Sequence, residues 1–588
     1  MSRRRAFRCL VRRWLALIVC LAALTGCVTV PTSGPPTRIE GPAPPCQNCV
    51  NVDVAPPGYG DEPKQVVEGY LRATSVYQPN YSVAKQYLSK VAADTWSPED
   101  GALIYTGAPV TVGTSKVILD GKLEGSLAPD RAYTARHRPF KWDFGMVKED
   151  GQWRISRPPA GLMIADYKFA RFYRSYNIYF VGNGSTLVPD PIYLPNLPNQ
   201  ANVASVLMKA LLAGPSKWLR PAVTSAVPAD TELSVDSVTV ENGIAQVPLS
   251  QEVQLLNDRQ RSLLAAQVIY TLQQAADVKG VLFKVNNVPF RVPESDQDSQ
   301  VVPVDRVSPE VDPVPFVAGD QLYAVRGRSV QVIDMNADAP RPRPIPGALG
   351  QGKLDVSSLA VYVANTDIAV VSDHRTTLRA GSTTTGEVTP KLERVTNLLR
   401  PQYSRYRELW AVGDLGGRQR MWSIAGDRRA EVAAPLLAGS RVTAFKISPD
   451  GTRLALVRRV GGRSELGVAR INRSDKVTVD GWRVLDTTQS NAPALTVVRD
   501  LAWLNATDLL VLGAPTPTAT VLPYRVSQDA SVITPPSEPS NWDPVEVTVL
   551  LGGAQTSVVV GRKGQSYKDD GAQWTAFVSG CSTLAFPG

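Results

Sequence analysis

Apolar positions change their spacing several times along the chain, and each change marks a different kind of segment. Trp14 to Leu24 is an unbroken apolar run of eleven residues. A spanning helix takes about 20, whereas the core of a signal peptide takes roughly 7–15. From Val28 to Pro63 the periodicity disappears and nine prolines stand among 36 residues. Proline-rich chain runs extended at about 3.1 Å per residue, so this segment reads as a tether reaching up to roughly 100 Å. Helical spacing then appears at Val66, Val67, Tyr70 and Leu71 and at Ala84, Tyr87 and Leu88. Strand-like runs follow at Thr111–Leu119, Tyr133–Arg138 and Gln152–Ile155. Helices followed by strands predict an α+β domain over 63–174, a curved sheet wrapped over helices.

A second α+β unit is expected over 175–293. It opens with a strand at Asn177–Val181, and a helix carries Val203, Val206, Leu207, Ala210 and Leu211 to the stop Ala213-Gly214-Pro215. Glycine tolerates the left-handed turn there and proline forbids continuation. Strands around Leu233–Val240 and Ile244–Val247, a helix from Arg259 to Ala276 and a strand at Val281–Val285 complete it. Residues 294–315, rich in proline and acid, read as a linker. Over 316–588 the pattern is all strand, and two stretches repeat one unit. Val442–Val457 is strand, Ser448-Pro449-Asp450-Gly451 turn, strand; Val498–Leu512 repeats it around Leu504-Asn505-Ala506-Thr507. Units of about 40–50 residues predict a propeller of about six blades. A pair of β-sandwiches is the alternative.

Charge changes this picture only briefly. The first 26 residues carry six arginines and no acid, so a net charge of +9 drops by six to +3 without them. No long basic cluster remains, which argues against nucleic acid as a partner. Of six cysteines, Cys9 and Cys20 leave with the signal. Cys46 and Cys49 form a Cys-Gln-Asn-Cys pair, either a local disulfide or two idle thiols, and Cys581 reads as a buried thiol. No metal spacing is visible.

Candidate chemistry is sparse. His137 and His374 fall in different domains and no Gly-x-Ser-x-Gly elbow accompanies them. Each reads as structural. Gly347 to Leu354 imitates a phosphate loop but lacks the closing Ser/Thr, so no nucleotide is expected. Gly182-Asn183-Gly184 reads as a hairpin turn, and Asp427, Asp450 and Asp508 as turn residues of the propeller. No cofactor and no catalytic residue is indicated.

Three resemblances follow from particular residues. Leu24-Thr25-Gly26-Cys27 resembles a lipobox, which implies cleavage before Cys27 and an N-palmitoyl, S-diacylglycerol cysteine at the new N-terminus, on the extracytoplasmic face of the cell membrane. Two or three chains anchor stably where one does not. Tyr179-Phe180-Val181, Leu211-Leu212-Ala213-Gly214-Pro215, Val247-Pro248-Leu249-Ser250 and Tyr270-Thr271-Leu272 resemble the landmarks of the GerMN module, with Pro248 where aspartate is commoner. The whole order, down to the closing Phe586-Pro587-Gly588, resembles the LpqB family of lipoproteins from high-GC Gram-positive bacteria. That resemblance implies a non-catalytic accessory of the MtrA–MtrB two-component system, which binds the outer domain of the sensor kinase MtrB and serves envelope homeostasis and division. A cell-wall or small-ligand binding lipoprotein is the alternative, and an envelope hydrolase a more distant one.

Overall fold

The computed structural model describes residues 54–588 apart from 198–199, 316, 318, 336–340, 489–492, 537–542, 553–555, 570 and 572. The lipobox, Cys27, Cys46, Cys49 and the tether up to residue 53 lie outside the described residues.

The N-terminal domain starts at helix α1 (Pro63–Ala73), where Pro63 suits the first turn and Glu62 and Gln65 form a capping box. Short helices α2 (Ser82–Gln86) and α3 (Lys90–Thr95) follow. Strands β1 (Ala102–Val112), β2 (Lys116–Leu127), β3 (Tyr133–Asp143) and β6 (Leu162–Ala165) form one sheet in the order β3-β2-β1-β6, with β6 parallel to β1. A small hairpin, β4 (Met146–Glu149) and β5 (Gln152–Ile155), stands beside it. Val66, Val67 and Tyr70 of α1 pack with Ile104, Leu119 and Phe144 as one core. The run Thr111–Leu119, expected as a strand, spans the tight turn between β1 and β2, because the turn residues carry no apolar gap long enough to show. The last tether residues also lie on this domain, with Tyr87 Oη donating to the Ala55 carbonyl at 2.8 Å.

Helix α4 (Asp166–Phe172) runs directly into the second α+β unit. Its elements are the hairpin β7 (Tyr173–Val181) and β8 (Leu187–Pro195), α5 (Gln200–Leu212), β9 (Thr239–Glu241), β10 (Ile244–Leu249), α6 (Asp258–Leu272), β11 (Gly280–Val285), β12 (Val288–Pro289) and β13 (Val302–Pro303). Helix α6, capped by Asn257, crosses between the parallel strands β10 and β11. Gly214 adopts φ +84° at the stop after α5, as the glycine–proline pair requires. The two parts of the chain share aromatic packing: Tyr193 of β8 lies 5.4 Å from Phe169 and 5.7 Å from Tyr133, ring centre to ring centre.

Two expectations are corrected here. The stretch Leu233–Val240 is strand only at its end, entering β9 at Thr239, with a single bridge from Leu233 to Leu249 before it. Residues 294–315 are no free linker: Val302 pairs with Val281 in β11, and Val302 and Val311 are buried. Prolines and acids on the outer side masked the apolar positions that dock.

Among the described residues the C-terminal region forms six four-stranded sheets, so the sandwich alternative is set aside. Their inner strands are Val356–Val361, Gln402–Tyr403, Arg441–Ile447, Val497–Trp503, Pro544–Leu550 and Cys581–Ala585. The last belongs to blade 1, whose other three strands come from 321–344, so the two ends of the region close the ring. Pro587 bridges Val361 in parallel and the Gly588 amide donates to the Val361 carbonyl at 3.0 Å, which seals blade 1 to blade 2. Neighbouring inner strands therefore point the same way around the axis.

Candidate functional site

The trailing ends of the inner strands carry the module. The Tyr406 hydroxyl, in the turn after the inner strand of blade 3, donates to the Asn183 carbonyl at 2.7 Å. Gly184 sits against its ring, so the Gly182-Asn183-Gly184 hairpin turn is also a docking knob. Trp218 Nε1 donates to the Gly481 carbonyl at 2.6 Å, the Arg483 guanidinium lies 4.6 Å from its ring centre, and Arg470 donates to its carbonyl. Arg405 Nη1 donates to the Asp312 carbonyl at 2.6 Å. Tyr193 donates to Asp529 at 2.9 Å, which joins the N-terminal core, the module and blade 5. Beneath these contacts Asp450 and Arg453 form a wholly buried ion pair. Asp450 accepts from Ser448 Oγ at 2.9 Å and the Thr452 amide at 2.8 Å, and Arg453 donates to Gln528 and to the Ala506 carbonyl of blade 5. Every charge there meets a counter-group, as a buried pair requires.

The leading ends of the same strands surround a cavity of about 240 Å³. This lies just below the roughly 300–1,000 Å³ of small-molecule pockets. Since the inner strands are codirectional, it opens on the face away from the module. Its walls are built by a repeated slip. In four inner strands the ladder skips one residue near its start, between Val356 and Ser358, Val442 and Ala444, Val498 and Asp500, and Pro544 and Glu546. The extra residues Ser357, Thr443, Arg499 and Val545 all line the cavity. A bulge re-aims a side chain that regular alternation would send between blades. Hydroxyls close two of the bulges across the ladder: Ser357 Oγ donates to the Val371 carbonyl at 3.1 Å and Thr443 Oγ1 to the Val457 carbonyl at 3.4 Å.

Charge gathers in this cavity. Arg400 lies 3.4 Å from Asp500 and 4.0 Å from Glu546, and donates to the carbonyls of Val547 and Leu584 at 3.1 and 2.5 Å. Its buried Nε has no acceptor among the described residues. Asp500 also accepts from the Val547 amide at 2.9 Å, and Glu546 from Thr583 Oγ1 at 2.7 Å. Burial pushes the Glu546 carboxyl up, with Arg400 opposing. Arg499 is taken by Asp543. Lys446 has no ion-pair partner within 4.0 Å among the described residues, and burial with Arg400 nearby pushes its ammonium down to about 7. Arg375, exposed at the rim, donates Nε–H to the Leu398 carbonyl at 2.8 Å and makes no ion pair within 4.0 Å among the described residues.

None of these groups was expected from the sequence. The slip that aims them shows only in how four of the inner strands pair with their neighbours. Of the residues singled out beforehand, His137 sits on β3 with Nδ1 2.8 Å from Glu124, itself buried and bonded to Thr106, and these lie far along the chain from the cavity residues. His374 is not on a strand; it stands exposed in a left-handed turn at φ +55°. Asp427 is an exposed turn partner of Lys391, whereas Asp508 is not in a turn: it opens the strand Asp508–Ala514 and pairs with Arg525. The phosphate-loop imitation opens a four-residue helix, Gly347–Gly350, and then returns to strand. Cys581 is a free, buried thiol whose pKa burial raises.

The fold and its docked module define a class, a multidomain protein with two α+β units and a C-terminal propeller. The chain belongs to the LpqB lipoprotein family. Its residues 56–170 match the family profile described as Lipoprotein LpqB, N-terminal domain, 177–290 match Sporulation and spore germination (Germane), and 331–587 match the Lipoprotein LpqB beta-propeller domain. It is 31% identical to Lipoprotein LpqB of Cutibacterium acnes over 96% of this chain and 97% of that one. With Lipoprotein LpqB of Thermobifida fusca it shares 28% over 84% of this chain and 86% of that one. A solved first GerMN domain of the sporulation protein GerM from Bacillus subtilis is 20% identical, with a TM-score of 0.17, covering 20% of this chain and 89% of that one. The family implies association with a membrane, and no helix among the described residues is long and apolar enough to cross one.

Proposed function

We propose that this chain is an extracytoplasmic, non-catalytic accessory, anchored through lipid on Cys27, that binds the outer domain of the sensor kinase MtrB and biases its signalling. The observation that carries the reading is the join between module and propeller. Trp218, Tyr406, Arg405 and Tyr193 hold three domains as one body, and a preorganised surface loses little conformational freedom when a partner docks. Anchoring confines that body to the plane of the kinase and raises effective concentration, so that a weak contact suffices. The accessory can shift the kinase only by preferring one of its two states. The partner meets the module or the propeller face, and loss of that contact changes kinase output while the lipoprotein stays folded and anchored.

The axial cavity favours a second reading, a lipoprotein that binds a small ligand or a wall fragment. The test is crosslinking in cells followed by membrane pull-down and mass spectrometry, with a Cys27→Ala copy alongside. Enrichment of the kinase with the parent and its loss with Cys27→Ala support the accessory reading. Wall polymer or lipoprotein alone in both samples overturns it.

A further inference from the structure

The charges in the axial cavity do not cancel. Arg400 is answered by Asp500 and Glu546, and Arg499 by Asp543. Among the described residues Lys446 and the exposed Arg375 make no ion pair within 4.0 Å, and the buried Nε of Arg400 has no acceptor. The lining carries Arg375, Arg400, Lys446 and Arg499 against Asp500 and Glu546, and a cavity walled with an excess of positive charge attracts an anion from outside. The void is open at the leading ends of the strands and is too small for a peptide helix or strand. Bulges aim its wall residues inward in four separate blades, so the arrangement does not hang on one loop.

We propose that the axial cavity is a binding site for a small oxyanion, of carboxylate or phosphate chemistry, whose charged end is held by Lys446 and Arg375. The site does not rest on the kinase reading and stands or falls without it. Binding couples to a proton. Lys446 shares the cavity with Arg375, Arg400, Arg499, Asp500 and Glu546, and burial, with Arg400 next, pushes its ammonium down to about 7. An anion favours the ammonium, so occupancy raises the Lys446 pKa and takes up a proton. Each unit of rise equals a tenfold preference of the anion for the charged form.

The full-length lipoprotein in detergent micelles, reductively methylated with ¹³C-formaldehyde, gives a methyl signal for each lysine, and Lys446→Met assigns the one that titrates near 7. Acetate and inorganic phosphate are the probes, each against chloride at equal ionic strength. The expected result is a saturable rise of at least one unit in the Lys446 titration with acetate, phosphate or both, absent in Arg375→Gln. The responding probe identifies the anion class. Unmethylated protein supplies a second reading: the same probe raises the apparent Tm of the parent and leaves Lys446→Met and Arg375→Gln unmoved. No rise with either probe, or an equal rise in the parent and Arg375→Gln, overturns the site.

Discussion

The two ends of the propeller's inner strands use the same kind of residue to opposite purpose. At the trailing ends Asp450 and Arg453 are wholly buried, pair one charge with one, and bond within their own turn and across to blade 5. At the leading ends Arg400, Lys446, Asp500 and Glu546 surround open space, with Arg375 and Arg499 adding positive charge to the lining. Each end leaves one guanidinium Nε, of Arg453 or of Arg400, without an acceptor among the described residues, so what separates them is charge balance and open space. A balanced cluster joins blades and carries the module, and an unbalanced one is held in place by a frame that must be stable elsewhere. The strands thus separate stability from binding by end, and substitutions at the two ends should separate the same way.

The largest effect belongs to the trailing end. Arg453→Ala leaves Asp450 buried without its counter-charge and opens the contact to blade 5, a change that costs about 3–5 kcal/mol. A clear drop in the propeller's urea midpoint checks it, and a loss under about 1 kcal/mol would remove this pair from the frame. Trp218→Ala comes next, at about 2–4 kcal/mol of interface, since it deletes a hydrogen bond, the stacking of Arg483 and most of the ring's burial. Limited proteolysis should then cut between module and propeller while each keeps its own melting transition.

At the leading end the sign depends on pH. Lys446 titrates near 7 in the folded chain against an ordinary 10.5. Below pH 7 the amine is charged in both states and the folded chain bears the full desolvation cost. Above 10.5 it is neutral in both and the cost is gone. Lys446→Met should therefore stabilise by on the order of 1–2 kcal/mol at pH 6, reduced from the fully buried case by the water in the cavity, with the gain shrinking toward pH 10. Thermal melts of both proteins across that range check it, and a difference that grows with pH contradicts it.

Much of this frame was legible in the sequence because turns are chemistry. Ser448-Pro449-Asp450-Gly451 announces its turn through proline's fixed φ and the left-handed Gly451, at φ +77°. Leu211 to Pro215 likewise stops α5 where the residues demand. The cavity was not legible, because a bulge is defined by the partner strand: Thr443 reads as one more strand residue until Val442 and Ala444 are seen to pair with Arg458 and Val457. The interface escaped for a related reason. Trp218 and Tyr406 are ordinary apolar positions until the surfaces they bridge are brought together from more than 180 residues apart in sequence.

The smallest effect tests whether the bulges or the charges shape the cavity. Thr443 contributes a methyl to the wall and a hydroxyl that donates across the ladder to the Val457 carbonyl at 3.4 Å. Thr443→Val keeps shape and β-branching and removes only that long hydrogen bond, so the loss is about 0.5–1 kcal/mol. Thr443→Gly removes the branched side chain as well and frees the bulged backbone, adding roughly 1 kcal/mol. If the bulge is what aims the wall inward, the Lys446 titration stays near 7 in Thr443→Val and climbs toward its ordinary value in Thr443→Gly, as the strand relaxes and water reaches the amine. Equal titration in both variants would mean that the charges hold Lys446 by themselves, and that the repeated slip only shapes the strand.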